Sequence, residues 1–439
     1  MRVGFVTYGT RGDVQPHLAL AVGLRDAGHE VFLCAPRDFA DLAAAYGIPF
    51  RPQSFSAQEL TQRPKVQRVL ASGSAMRLFL LKGRRFVMDV INLDTWNATR
   101  DADALIFKMG EPSAAYSIAR TRGIPGIETY YSPLEPSSEL PGLGMGGGNH
   151  GRFLNRLTSE LTYCFFWRTC TPSANFFRRE VLYLPRLPRY GPRREYAATG
   201  QPTLYLFSPT IVPKPADWRR DAHVIGFVHL PAPPLWHPPD ALCRFLAAGP
   251  KPLCVGFSSM PSPDPRAMAL AIIESLRRTG QRAVWLSGWG KLGGGMPLPE
   301  NVCPVDDVPH AWLFPRAAGV IHHGGAGTVG SVLRAGIPSI SVPHNFDQPF
   351  WSRRLYELGL TPPPIPSKQV SAERLTAAIR TMLGDQGLRR RVDAIGETIR
   401  GENGVARFVE FFEQYARRFS GDAGPVPDQP SRSANTGAP

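Results

Sequence analysis

The amino-acid sequence predicts an α/β protein of two Rossmann-like domains, each with a parallel sheet covered by helices on both faces. Three observations predict this class. Short apolar runs alternate with helical patterns from residue 2 to about residue 130. The alternation resumes near Pro252 and continues through SISVP at 339–343. The length of 439 residues favours two sizeable cores over one, because a domain usually holds ~150 residues.

The first series of elements begins with RVGFVTY at 2–8, a short buried strand. A glycine-bearing turn, the helical pattern PHLALAVGLRDAGH at 16–29 and the strand VFLCAP at 31–36 follow. DALIF at 103–107 and GIETYY at 126–131 continue as strands, each preceded by a helical pattern. This alternation predicts a parallel sheet, because each helix returns the chain to the end of the sheet at which the previous strand began.

The second series repeats the rhythm. Its strands are PLCVGFSS at 252–259, RAVWLSG at 282–288 and GVIHH at 319–323, and its helices include RAMALAIIESLRRTG at 266–280 and AGTVGSVLRAG at 326–336. In open parallel sheets a ligand binds outside the carboxyl ends of the strands. We therefore expect a ligand in the cleft between the two domains.

A proline-rich stretch, PAPPLWHPP at 231–239, separates the two series and cannot continue a helix or a central strand. We place the first domain at 1–220, the linker at 221–245 and the second domain at 246–405. Residues 406–419 are expected to form a helix that packs back on the first domain. Residues 420–439 are polar and proline-bearing, which predicts a disordered tail.

The formal charge is +14, from 50 basic and 36 acidic residues. Such a charge favours phosphate-rich ligands, nucleic acid or anionic membranes without choosing among them. The basic tracts lack interleaved aromatic residues and any nucleic-acid-binding motif, so we expect no nucleic-acid partner. The basic surface leaves peripheral membrane contact open.

The cysteines and the N-terminus bear on location. Six cysteines show no CxxC pair and no zinc-ligand spacing, which favours reduced thiols and a cytoplasmic protein. MRVGFVTYG lacks the features of a signal peptide, and no apolar run approaches the ~18 residues that span a bilayer.

The stretch HHGGAGTVGSVLRAG at 322–336 combines a strand end, a glycine turn and a helix start. Backbone N–H groups at the helix start, with the helix dipole behind them, make a site for phosphate. Gly324, Gly325 and Gly327 let a diphosphate approach without a Cβ in the way, and His323 and Thr328 can add donors. A tight packing turn is the alternative from these residues alone.

Asp347 and Gln348 follow the next strand, SISVP. Gly325, Gly327 and Gly330 match the GxGxxG spacing of dinucleotide enzymes, and Asp347 lies where an acidic ribose ligand would stand. That fingerprint belongs in a first domain, however, and these glycines are in the second. The Asp347 and Gln348 pair suits several sugar hydroxyls better than one ribose edge.

The N-terminal loop YGTRGDVQPH at 8–17 brings Asp13 to the first turn of a helix in which Pro16 is tolerated. Asp13 is a candidate general base, and a helix-capping aspartate is the alternative. His17, one turn later, is a rival base, an orienting partner or a packing histidine.

Five ordered stretches resemble the family 1 glycosyltransferases of the GT-B fold. The branch is that of sterol glucosyltransferases and of bacterial glycosyltransferases acting on glycopeptide, polyketide and related natural products. The stretches are GTRGDVQPHLALAVGL, PADW, VGFSSM, DVPHAWLFP and HHGGAGTVGSVLRAGIPSISVPHNFDQPFW. The resemblance implies an inverting transfer of a sugar from a nucleoside diphosphate sugar to an acceptor hydroxyl, without a metal ion.

The resemblance also implies roles for particular residues. The donor would be bound by Ser259, His323, Gly325, Ala326, Gly327 and Thr328 at the diphosphate, Val308 and His310 near the base, and Asp347 with Gln348 at the sugar. Asp13 would take the proton of the acceptor. Apart from the resemblance, the aromatic and apolar side chains of Met76, Phe165 and Trp167, together with His17, are candidate acceptor contacts, and packing in the core is the alternative for the aromatic residues. Ser258 departs from the pattern, since glycine is common there.

These expectations make a UDP-sugar or dTDP-sugar the co-substrate, with no further cofactor and no metal. The acceptor is expected to be a large hydrophobic molecule such as a polyketide, terpenoid or sterol, and the protein a monomer or homodimer. The alternatives are a GT-B nucleotide-sugar epimerase and a non-catalytic sugar-nucleotide-binding protein. A NAD-dependent oxidoreductase would need a complete fingerprint in the first domain, which YGTRGD does not supply.

Overall fold

The computed structural model describes residues 1–72, 84–109, 113–145, 148–258, 264–289 and 296–419. Within these residues the chain forms a seven-stranded sheet and a five-stranded sheet. Neighbouring strands in both sheets pair in parallel. Residues 420–439, predicted to be disordered, lie outside the described residues.

The first sheet has the order β3-β2-β1-β4-β5-β6-β7. Its strands are β1 Arg2–Val6, β2 Glu30–Pro36, β3 Phe50–Gln53, β4 Ala104–Lys108, β5 Gly126–Tyr130, β6 Thr203–Tyr205 and β7 Ala222–Val224. The central strand β1 pairs with β2 on one side and β4 on the other. The strand order reverses there, so β1 and β4 flank a switch point where ligands bind.

Helices cover this sheet. They are α1 Arg11–Asp26, α2 Ala40–Ala45, α3 Ala57–Gln62, α4 Pro64–Ala71, α5 Arg84–Ala98, α6 Ser113–Arg122, α7 Arg152–Glu180 and α8 Arg193–Thr199. α1 buries an apolar side that includes Val14, Leu18 and Leu24. Its polar start is thereby held at the carboxyl end of β1.

The second sheet has the order β10-β9-β8-β11-β12. Its strands are β8 Leu253–Gly256, β9 Ala283–Leu286, β10 Val302–Val305, β11 Gly319–His322 and β12 Ser339–Ser341. β8 pairs with both β9 and β11, which makes the β8 and β11 ends a second switch point. The glycine turn after His322 starts at this point.

The helices of the second half are α9 Asp240–Ala247, α10 Pro265–Thr279, α11 His310–Leu313, α12 Ala326–Ala335, α13 Gln348–Glu357, α14 Ala372–Gly384, α15 Gln386–Glu402 and α16 Gly404–Ala416. α16 returns to the first half and packs on α1. A Cβ on Gly23 would collide with Val405, and the Phe408 ring lies 6.3 Å from that of Phe5. The close approach of the two helices depends on this glycine.

The predicted linker at 221–245 differs from the structure at both ends. β7 lies inside it and pairs with β6 in the first sheet, and α9 begins at Asp240. A three-residue strand carries too little alternation to be recognised in a sequence. Among the described residues, no helix is both long and apolar enough to cross a bilayer, and all six cysteines are free thiols.

Candidate active site

A cavity of about 1450 Å³ lies between the carboxyl ends of the two sheets. The first half contributes Asp13 and Lys108 to its lining, and the second half contributes His323 and Asp347. Both switch points therefore open into one space. The apolar part of the lining is formed by Met88, Ile91, Leu134, Leu161, Phe165 and Phe166, among others.

The glycine turn forms one wall of this cavity. Gly324 has φ +86°, and a Cβ there would collide with Ser352 Oγ, so the turn requires glycine at this position. α12 then begins with Gly325 as its N-cap, without a side-chain cap. Ala326, Gly327 and Thr328 line the cavity. The first N–H groups of α12 thus form an anion site of the kind that binds phosphate.

The two adjacent histidines have different environments. His322 is fully buried, and its Nδ1 accepts a hydrogen bond of 3.0 Å from the Gly324 N–H. His323 lines the cavity, and its Nδ1 has no partner among the described residues. Burial holds the pKa of His323 well below its usual value, and His322 lowers it further. His323 is therefore a neutral hydrogen-bonding group at pH 7, and His322 is structural.

Asp347 is already hydrogen-bonded within the protein. Its Oδ2 accepts from Ser132 Oγ at 2.9 Å and from Trp351 Nε1 at 3.0 Å. Burial raises the pKa of Asp347 above its usual value. Because Ser132 belongs to the first half of the chain, this contact joins the two walls of the cavity. Sequence reasoning missed Ser132, which follows β5 without a recognisable motif.

Gln348 is buried and supports the loop that precedes it. Its Oε1 accepts from the N–H groups of His344, at 2.9 Å, and Asn345, at 3.3 Å. Phe346 in the same loop has φ +56°, a left-handed conformation that costs about 1–2 kcal/mol for a residue with a Cβ. The loop is held in one shape beside the cavity.

His344 is a second residue that sequence reasoning missed. It lines the cavity and is 8% exposed. Its Nδ1–H donates to Val342 O at 2.9 Å, which leaves a lone pair on Nε2 in the neutral ring. Burial lowers the pKa of His344 to about 4, and Nε2 has no partner within the described chain. His344 is therefore a neutral ring at the cavity wall with one unpaired acceptor atom.

Asp13 combines the two alternatives that the sequence left open. Its Oδ2 accepts from the Thr10 N–H at 2.8 Å, as part of a capping box at the start of α1. Its Oδ1 accepts from Lys108 Nζ at 2.6 Å. Asp13 thus caps the helix and also lines the cavity. Lys108 lies at the end of β4, and its ammonium group is also 4.5 Å from the centre of the Tyr8 ring. The sequence did not predict this lysine as a site residue.

His17 does not line the cavity, so the structure does not support it as an acceptor contact. The side chain is fully buried. Its Nδ1–H donates to Asp13 O at 3.0 Å, and Nε2 lies 3.0 Å from Thr129 Oγ1. Tyr131 Oη also donates to Asp13 O, at 2.7 Å. Burial lowers the pKa of His17 to about 4. His17 is a neutral packing residue behind Asp13.

Of the other predicted acceptor contacts, Phe165 lines the cavity and Trp167 does not. Trp167 is 1% exposed and packs against Phe166 and Tyr163. Two residues along a helix turn the side chain to the opposite side, which explains the difference. Met76, like the predicted donor residue Ser259, lies outside the described residues.

Val308 and His310 are also absent from the cavity lining. Val308 is 3% exposed in a core cluster with Leu313. The His310 ring stacks on Phe314 with centroids 4.4 Å apart, and burial lowers the pKa of His310 to about 4. In the described parts of the chain, no group of three or more His, Cys, Asp or Glu side chains is arranged to hold a metal.

Two family models match the chain. The glycosyltransferase family 28 N-terminal domain matches residues 3–89. The erythromycin biosynthesis protein CIII-like C-terminal domain matches residues 291–403. Each model covers part of one half of the chain, and together they contain Asp13 and the glycine turn.

Whole-length relatives extend this result. The sterol 3-beta-glucosyltransferase UGT80B1 of Arabidopsis thaliana is 33% identical over 426 residues, which cover 94% of this chain and 68% of that protein. The chain belongs to the glycosyltransferase family of this enzyme. The O-mycaminosyltylonolide 6-deoxyallosyltransferase of Streptomyces fradiae is 30% identical over 95% of this glycosyltransferase and 98% of that enzyme.

Solved structures identify the fold of this glycosyltransferase. The calicheamicin glycosyltransferase CalG4 superposes with a TM-score of 0.65 and 19% identity, over 95% of this chain and 99% of that one. The glycosyltransferase of kitacinnamycin gives the same score and identity, over 94% and 99%. The two parallel sheets that face one cavity are therefore the GT-B fold expected from the sequence.

Proposed function

We propose that this glycosyltransferase moves a sugar from a UDP- or dTDP-sugar to a hydroxyl group of a hydrophobic sterol- or macrolide-like acceptor. The transfer inverts the anomeric configuration and uses no metal ion. One observation carries the proposal: Asp13 lines the same cavity as the uncapped start of α12. A base and a diphosphate site are thus available to one bound pair of substrates.

The donor is proposed to bind the second half of the chain. The N–H groups at the start of α12 and His323 hold the diphosphate. They also offset the negative charge that develops on this leaving group. Asp347 and Gln348 contact the sugar hydroxyls. Ser259, Val308 and His310 remain predicted donor contacts.

Asp13 is proposed to activate the acceptor. As the acceptor oxygen forms a bond to the anomeric carbon, its proton passes to the Asp13 carboxylate. The bond from that carbon to the diphosphate oxygen breaks on the opposite face, and the electron pair leaves with the nucleoside diphosphate. The products are the glycoside, the nucleoside diphosphate and protonated Asp13, which loses its proton to solvent.

The acceptor class is inferred from the relatives and the cavity. One relative is named for sterols and another for a tylonolide derivative. The cavity volume of about 1450 Å³ exceeds the ~300–1,000 Å³ of an ordinary ligand pocket, which suits two substrates side by side. Aromatic and aliphatic side chains such as Phe165, Ile91 and Leu134 line it.

A substrate screen tests the proposal. UDP-glucose and several dTDP-deoxysugars are incubated with sterols and macrolide aglycones, and mass spectrometry detects products heavier by one sugar. Proton NMR of the product should show a β-glycoside from an α-linked donor, and EDTA should leave the rate unchanged. A donor that is epimerised without any acceptor would replace the proposal with the epimerase alternative.

A further inference from the structure

Helix α7 exposes large apolar side chains that its packing does not require. Phe153 is 79% exposed, Leu157 45% and Leu161 61%. Their spacing of four residues places them on one side of the helix. A helix on the surface of a soluble protein normally presents polar side chains to water. The exposed side of α7 is the opposite, and large exposed apolar patches mark interaction sites.

The same side continues along the whole helix. We call it the α7 outer face, and it consists of Phe153, Leu154, Leu157, Leu161, Arg168, Pro172, Phe176 and Arg179. All of these residues are exposed. The inward side chains, such as Tyr163, Trp167 and Phe177, are buried. The α7 outer face is therefore exposed to solvent and available for binding.

The segment that contains this face is rich in exposed arginines. Residues 152–194 contain nine arginines and two glutamates, and six of these arginines but only one of the glutamates, Glu180, are exposed. One of the glutamates, Glu160, is paired with Arg156 and Arg193. Arg168 and Arg179 are exposed within the apolar row. A partner for this surface is expected to be anionic and able to accept apolar side chains.

The α7 outer face is continuous with the mouth of the cavity. Leu161 belongs to both. Phe86 and Met145 also line the cavity, although they are 73% and 50% exposed. The exposed cations Arg63 and Lys65 line the same opening. An apolar molecule at this surface would reach the cavity without crossing bulk water.

We propose that the α7 outer face docks on an anionic membrane surface. Its apolar side chains lie at the boundary between headgroups and acyl chains, and its arginines contact the lipid phosphates. Membrane access for the acceptor rests on the proposed function, whereas docking itself does not. A second copy of the chain is a poorer partner, because dimerisation through this face would bring two positively charged surfaces together.

Sedimentation of the full chain with lipid vesicles tests the proposal. The vesicles are phosphatidylcholine alone or phosphatidylcholine mixed with phosphatidylglycerol. The Phe153→Ser/Leu157→Ser double variant should bind both kinds of vesicle at least tenfold more weakly. Leu235→Ser/Leu270→Ser is the matched control, since both leucines are exposed elsewhere, and it should bind as the wild type does.

The charge contribution is tested separately with Arg168→Gln/Arg179→Gln. This variant should lose about 25-fold in binding to the anionic vesicles, because one cation near such a surface changes partitioning about fivefold. Binding to phosphatidylcholine alone should change little. Arg380→Gln/Arg390→Gln, from exposed sites on α14 and α15, is the charge control.

Two results would overturn the proposal. One is that both α7 variants sediment with the vesicles to the same extent as the wild type. The other is a dimer in lipid-free sedimentation velocity that Phe153→Ser/Leu157→Ser converts to a monomer while vesicle binding is unchanged, which would make the face a contact between copies. The vesicle assay contains neither nucleotide sugar nor acceptor, so its outcome is independent of whether the proposed reaction is correct.

Discussion

The partly buried ion pair between Asp13 and Lys108 should stabilise the folded protein more than an exposed ion pair does. The charged atoms lie 2.6 Å apart, and the two side chains are 23% and 13% exposed. At an effective dielectric constant of ~20 the gross Coulomb attraction is about 6 kcal/mol. Much of it is offset by lost hydration, so we expect a net coupling of about 2 kcal/mol, typical of a charged hydrogen bond.

A double-mutant cycle measures this coupling directly. The variants are Asp13→Asn, Lys108→Met and the double variant, and the free energy of unfolding is obtained from urea denaturation at pH 7. Asparagine can still accept from the Thr10 N–H, so the cap of α1 is retained while the charge is removed. The exposed Arg37 and Glu59 pair provides the control cycle.

The control pair should show coupling close to zero, as exposed ion pairs usually do. A coupling below about 0.5 kcal/mol for Asp13 and Lys108 would show that solvent screens this pair as it does an exposed one. The pair would then behave as a solvent-exposed contact, and Lys108 would not fix the position of the proposed base.

Three further predictions concern stability and donor binding. Burial raises the pKa of Glu128 to about 7 from 4.5, so the folded state holds this proton more tightly than the unfolded state. The resulting contribution to the free energy of unfolding is complete below pH 4.5 and is lost as pH rises through 7. The wild type minus Glu128→Gln difference in unfolding free energy should fall by about 3 kcal/mol across that range, and a flat difference would contradict it. Gly324→Ala should lower the urea midpoint, at a cost of at least about 1 kcal/mol, whereas Gly384→Ala, with open space at its Cβ, should not. His323→Ala should weaken UDP binding in calorimetry about tenfold, the loss of one hydrogen bond to a charged group, and equal affinity would remove its phosphate role.

Local sequence patterns predicted the parts of the fold and site that depend on neighbouring residues. The alternation of strands and helices gave two parallel sheets. The strand end, glycines and helix start at 319–328 gave the turn at the cavity, because all its parts are contiguous. The positions of His323 and Asp347 in the lining follow from this turn and from the next strand.

The parts that failed depend on contacts between distant segments. Lys108 meets Asp13 only because β4 pairs with β1, and the sequence gives no local sign of that pairing. His17 is buried because Thr129 and Tyr131 arrive from β5 and the residue that follows it. Trp167 is a local exception, because an offset of two residues along α7 turns its side chain away from the cavity that Phe165 lines.

In the proposed mechanism Asp13 takes the proton of the acceptor and does not bind the donor. Turnover and UDP affinity of Asp13→Asn, measured in the same preparation, separate these two roles. We expect UDP affinity within about twofold of the wild type and a loss of about 10²–10⁴-fold in turnover, as for removal of a general base. Unchanged turnover would rule out Asp13 as the general base and leave it as a helix cap alone.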